Sequence, residues 1–205
     1  YEISLGLVGS EMCIRDRNMA LRHIVTKEDS ILHKVCREQV KFDSRLHQLL
    51  DDMAETLENA NGVGLAAPQV GILRRVVLVI ETNVEDEDDE EILELINPVI
   101  VSSEGEQTGA EGCLSIPNEF GVVTRPDYVK VRAQDRHGEW FEVEGTGLTA
   151  RCFCHEIDHL EGILFTEKCE RMLTEEMFVP NDTYLDTING IRMMDGCSLT
   201  EGSHI

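Results

Sequence analysis

The pentapeptide His155-Glu156-Ile157-Asp158-His159 requires a helix, and one of a particular kind. At about 3.6 residues per turn, positions four apart lie about 40° from one another around the axis, so both imidazoles leave one face and can grip one ion. Glu156 lies on the adjacent flank, where it reaches a water on that ion without being a ligand. Phe153, Ile157 and Leu160 make the same helix apolar. That places it in a core, where bare imidazoles and carboxylates are costly without a partner. A pair of surface histidines beside a solvated glutamate is the competing reading, and the apolar neighbours count against it. The helix is expected over 148–160, with Thr146 or Thr149 near its start and Gly162 as its stop.

Two histidines do not complete a site, because a catalytic divalent ion usually takes a third protein ligand and keeps one position open. Glu161 is too near in sequence to serve, while Glu167, Glu170 and His204 are formal candidates. Upstream, Glu111-Gly112-Cys113-Leu114-Ser115 offers a thiolate between small and polar neighbours at the end of a strand region; a metal-bound cysteine is deprotonated outright. A buried structural cysteine is the ordinary alternative for Cys113. Cys152, three residues before His155, is geometrically conceivable as a ligand. Three ligands from one helical face would leave the ion open on its far side, so Cys152 reads better as pocket lining.

The rest of the chain supplies a scaffold. From Asp43 or Ser44, either able to cap a helix, Leu46, Leu49, Leu50, Met53 and Leu57 recur at helical spacing until Asn61-Gly62. A Gly-rich loop over 62–71 leads into 75–80, a β-branched run that suits a buried strand. The loop lacks the pattern of a phosphate cradle, but its glycines permit close backbone approach to a ligand and Gln69 brings an amide donor. Strand-like segments come next at 92–101 and 128–134, the second joined to 139–144 through Asp135-Arg136-His137-Gly138. The run EDEDDEE over 85–91 is expected to be an exposed loop. A short helix is expected near 167–178, and after it a polar tail. Parallel βαβ alternation is absent, so the fold class is α+β.

With 205 residues, 41% apolar and 28% charged, one folded domain with a sizeable core is expected. No apolar stretch approaches the roughly 20 residues needed to cross a bilayer. A formal net charge of −22, from 18 Lys and Arg against 40 Asp and Glu, argues against direct binding of nucleic acid. Seven cysteines, an odd number, read as reduced thiols with at most one ligand among them. A cytoplasmic setting is expected, or an organelle stroma or matrix if the source is eukaryotic. Residues 1–18 look foreign to the chain beyond Met19, and Met19 reads as the natural start.

Taken together, GVGLAAPQ (62–69), EGCLS (111–115) and HEIDH (155–159), in that order and at these separations, closely resemble the three signature motifs of peptide deformylases. The combination is far more specific than any one member. The resemblance covers roughly 19–165, leaving 1–18 as an extension outside the family and 166–205 as a divergent C-terminal tail. It implies antiparallel β-sheets packed around a central helix that carries the HExxH motif. It also implies one divalent metal ion, Fe(II) or Zn(II), bound by Cys113, His155 and His159. The implied activity is removal of the formyl group from the N-terminal formyl-methionine of newly synthesised polypeptides, with attack by metal-bound water and Glu156 as general acid/base.

Further roles come from the resemblance alone. The Gln69 amide and the Leu114 backbone N–H would stabilise the oxyanion; Gly64 and Gly112 would hold the peptide as an added strand; Val63, Leu148 and Cys152 would line the methionine pocket. Arg125 matches a family arginine and is expected to anchor a carboxylate such as Asp158. Phe120 and Arg151 depart from residues common at their positions. Formyl-methionyl nascent peptides are the implied partners of a monomer, with at most transient ribosome proximity, since the acidic tail does not suit ribosome docking. Two other readings stand beside this one: a zinc endopeptidase using the same helix motif, and a binding module that keeps the pocket without the chemistry.

Overall fold

The computed structural model describes residues 20–82, 91–173, 185–188 and 191–194. The extension over 1–18, most of the acidic run, His204 and the greater part of the tail therefore lie outside the described residues.

Asp43 begins the first helix, α1 (Ser44–Asn59), by accepting hydrogen bonds from the backbone N–H groups of Arg45 and Leu46. Its apolar stripe of Leu46, Leu49, Leu50, Met53 and Leu57 is buried, as the helical spacing requires. Asn61, at φ 52°, turns the chain away after the last turn. The Gly-rich segment then divides. Gly64–Ala66 forms a short strand, β1, and Ala67–Val70 a single 3-10 turn closed by Gly71 at φ 82°. Strand β2 (Val76–Ile80) comes next, antiparallel to β1.

Five antiparallel strands make the larger sheet: β1, β2, β3 (Ile92–Glu104), β6 (Tyr128–Gln134) and β7 (Trp140–Thr146), in that spatial order. The uninterrupted apolar run of β2 is explained by its two faces. Val76 and Leu78 pack with α1, whereas Val77 and Val79 pack with the residues of the second long helix, α2 (Gly147–Leu160). A strand covered on both sides has no use for polar alternation. Strand β3 is bulged where Asn97 adopts φ 52°, and the Asn97 amide donates to Gln39 O and Gln134 Oε1, both at 2.8 Å.

A smaller sheet holds β4 (Gln107–Cys113), β5 (Ile116–Arg125) and β8 (Arg171–Leu173). Helix α2 packs on β1, β2, β6 and β7 and also touches β5, so it runs through the middle of the molecule between the two sheets. This is the expected α+β arrangement, with the HExxH segment on the central helix. Two elements differ from expectation. The β4–β5 hairpin, turning at Leu114-Ser115, extends well beyond the single strand end expected at Cys113. Where a helix is expected near 167–178, the described residues form one short turn, α3 (Phe165–Lys168), and then β8, while 174–178 lie outside the described residues. There Arg171, Met172 and Leu173 pair with Val122, Gly121 and Phe120, because the open edge of β5 offers backbone partners that a helix would forgo. A separate hairpin pairs β9 (Leu185–Ile188) with β10 (Ile191–Met194). No helix among the described residues is long and apolar enough to cross a membrane.

Candidate metal centre

Cys113 ends β4, and His155 and His159 stand one turn apart on α2. Their ligand atoms all lie within 4.8 Å of one another, and all three residues are buried. Cys113 Sγ is 3.3 Å from His159 Nε2, and the two imidazole rings meet edge to face with centroids 5.0 Å apart. His155 also stacks on Phe165, at a centroid distance of 6.0 Å. The helix therefore supplies two donors and the hairpin the third, across the seam between elements.

The donor set fits a divalent cation. His155 Nδ1 lies 3.0 Å from Glu111 Oε2, which fixes Nδ1 as the protonated nitrogen and leaves a lone pair on Nε2. That Nε2 is buried and has no hydrogen-bond partner. A buried acceptor with nothing to accept is costly unless an ion takes its lone pair. Burial, reinforced by the neighbouring His155, holds the His159 imidazole well below its ordinary pKa and so keeps it neutral. Burial, followed by the charge of Glu156, pushes the Cys113 thiol up to about 12. Only a strong local positive charge converts such a thiol to the thiolate, and a bound divalent ion is that charge.

Beneath the histidine lies a charged network that sequence reasoning does not assign. Glu111, fully buried on β4, accepts from Arg125 Nε at 2.8 Å and Nη2 at 3.0 Å, from Arg151 Nη1 at 2.9 Å, and from His155 Nδ1. Burial alone would raise its carboxyl pKa, but the hydrogen bonds from His155 and Arg125 outweigh that and hold it well below the usual range. Arg125 also reaches Asp158 Oδ2 at 2.5 Å, so the expected Arg125–Asp158 contact forms alongside a fuller bidentate one to Glu111. No local spacing announces Glu111: the β4–β5 register shifts between Glu111 and Cys113, so strand alternation does not tie the two to one face.

The remaining candidates fall around this centre. Gln69 is buried; its Oε1 accepts from Ala66 N at 2.8 Å, and its Nε2 lies 3.5 Å from Cys113 Sγ and 3.3 Å from Ser115 Oγ. Leu114 succeeds Cys113 in the hairpin turn and packs half-buried against the α1 core. Gly64 brings backbone against the helix: a Cβ there would stand 2.6 Å from both Cys152 Sγ and Glu156 Oε1. A Cβ on Gly112 would come within 2.9 Å of the Phe120 ring. Cys152 Sγ donates to Val63 O at 3.4 Å and is not part of the three-donor cluster; Leu148, one turn earlier on α2, is half-buried. Glu161, already too near in sequence, and the formal third ligands Glu167 and Glu170 are engaged elsewhere, while His204 lies outside the described residues. Glu161 pairs with Arg75, Glu167 accepts from Leu164 N, and Glu170 accepts from Thr124. The five cysteines among the described residues are free thiols.

A buried helix bearing HExxH, closed by a thiol from a neighbouring strand and framed by antiparallel sheets, belongs to the class of amide-opening hydrolases with a metal-binding centre. Comparison with known proteins narrows that class. The polypeptide deformylase family model matches residues 21–175. The chain is 56% identical over 150 residues to the peptide deformylase of Lachnoclostridium phytofermentans, covering 73% of this chain and 90% of that protein. Among solved structures, it resembles a peptide deformylase from Legionella pneumophila with a TM-score of 0.68 at 41% identity, covering 77% of this chain and 88% of that one. The peptide deformylase from Thermotoga maritima gives 0.69 at 35% identity, covering 74% and 99%. The chain belongs to the polypeptide deformylase family and is an enzyme of that kind.

Proposed function

We propose that this chain hydrolyses the N-terminal formamide of formyl-methionyl nascent peptides, yielding formate and a free amine. The observation that carries this reading is the convergence of Cys113, His155 and His159 beside Glu156, in a chain of this family. Cys113, His155 and His159 are the residues that would hold a divalent ion, Fe(II) or Zn(II). When bound, such an ion supplies Lewis acidity and a nucleophile competent near neutral pH.

Glu156, held fully buried one residue after His155, accepts the proton of the attacking water and returns one to the departing amine. The Gln69 amide and the Leu114 backbone N–H donate to the oxyanion that develops on the formyl oxygen. Their placement in advance removes reorganisation from the barrier. Strands β1 and β4 are both sheet edges, and Gly64 and Gly112 on them allow a peptide backbone to approach as an added strand. Val63, Leu148 and Cys152 line the apolar recess for the methionine side chain. The Cys152 thiol is suited to that passive role, since burial followed by the Glu156 charge keeps it protonated.

A formyl-methionyl peptide assay on protein purified anaerobically, with metal analysis of the same sample, tests the reading and identifies the ion. Glu156→Gln is expected to retain metal and lose turnover by about 10² or more, within the usual range for a general acid/base. Normal turnover in that variant would remove Glu156 from the mechanism. Cys113→Ala is expected to lose both tight metal binding and activity; an active Cys113→Ala protein cutting internal peptide bonds would favour the endopeptidase reading instead.

A further inference from the structure

Arg151 is a charged residue buried in the middle of α2, with 3% of its surface exposed. Such burial is expensive unless the charge is matched and its donors are used. Its only carboxylate contact among the described residues is Glu111, which Nη1 meets at 2.9 Å. Its other contacts are neutral oxygens: Val123 O at 2.9 Å from Nη1, and Gln107 O at 3.2 Å and Gln107 Oε1 at 3.4 Å from Nη2. Arg125, by contrast, divides its charge between Glu111 and Asp158.

We propose that Arg151 is a positioning residue for the metal centre, locking Glu111 against His155 and fixing the β4–β5 hairpin at its distance from α2. This rests on the reading of Cys113, His155 and His159 as the metal-holding set. Two geometric facts carry it. Arg151 and His155 are four apart on α2, so they share a face, and both reach the same carboxylate: Arg151 through Oε1 and His155 through Oε2. With Arg125 filling one further direction on each oxygen, the carboxylate has no freedom to swing away from the imidazole. The same guanidinium holds carbonyls on β4 and β5, the two strands whose turn end presents Cys113. Strand β4 makes room for it at Gly109, where a Cβ would stand 3.2 Å from Nη2. One side chain thus sets the orientation of an imidazole and the spacing between that imidazole and the thiol.

The test compares wild type, Arg151→Met and Arg151→Lys by Zn²⁺ affinity in chelator competition, and by the imidazole nitrogen chemical shifts of His155 in the metal-free protein. Arg151→Met is expected to weaken Zn²⁺ binding by about tenfold to a hundredfold, the usual effect of losing such a supporting contact. It should also lower the Nδ1–H tautomer population of His155, which a loss of packing elsewhere would not do. Arg151→Lys keeps the charge with a less fixed set of donors and should fall between the two. A folded Arg151→Met with unchanged affinity and tautomer overturns the proposal. If Arg151→Met does not fold, an unchanged Arg151→Lys does so. Cys113→Ala, measured alongside, separates the two levels. Zn²⁺ retained in that variant too sinks the centre itself, whereas Zn²⁺ lost only there sinks the role of Arg151 alone.

Discussion

Gly64 has no side chain because Cys152 and Glu156 occupy the space one would take. Gly64→Ala is therefore expected to fold and to keep its metal, yet to lose at least tenfold in kcat as the carboxylate is pushed aside, consistent with the sensitivity of catalysis to displacements of about 1 Å. Steady-state kinetics with metal analysis on one sample would check it. A second residue sets an alkaline limit. Cys36 is buried, and burial, partly offset by Arg75, raises its thiol from 9.0 to about 11. A raised folded-state pKa gives stability that is complete below pH 9 and is lost as pH rises toward 11. Urea unfolding should weaken across that window, and Cys36→Ala should flatten the slope there. At this scale the sequence was readable where spacing encodes geometry, as in His155, Glu156 and His159. It was opaque for Glu111 and Arg151, whose partnership spans 40 positions and two elements and leaves no local pattern.

Helix α2 ends because Gly162 turns left-handed at φ 74° and its α-carbon abuts the backbone of His33, 2.7 Å from where a Cβ would sit. Gly162→Ala meets both a conformational and a steric penalty, and the expected loss exceeds the roughly 1 kcal/mol of the backbone effect alone. Denaturant midpoints at constant slope would measure it. Elements with clean periodicity are legible in the sequence: α1 and α2 through their apolar stripes, β2 through its β-branched run, and the β6–β7 hairpin through its Asp-Arg-His-Gly turn. Strand β5 was hidden because Pro117, Asn118 and Gly121 interrupt its pattern, with Asn118 at φ 63°. Strand β8 was hidden because three residues pairing with a distant edge carry no period of their own.

On the scale of the whole molecule, the class of fold was legible in the succession of elements, but the division into two sheets was not. Sheet membership is decided by long-range pairing, such as β3 with β6, which local sequence does not record. That division bears on the centre, since the thiol arrives from the smaller sheet while the imidazoles ride on a helix seated chiefly on the larger one. A cation held between them would act as a rivet through two plates. Free ion at 100 times its dissociation constant should add about 2.7 kcal/mol to the folded state, or roughly 5–10 °C in Tm, and a chelator should remove it. Thermal denaturation with and without chelator would read this directly, and endurance under heat would then report on how much ion the surroundings provide.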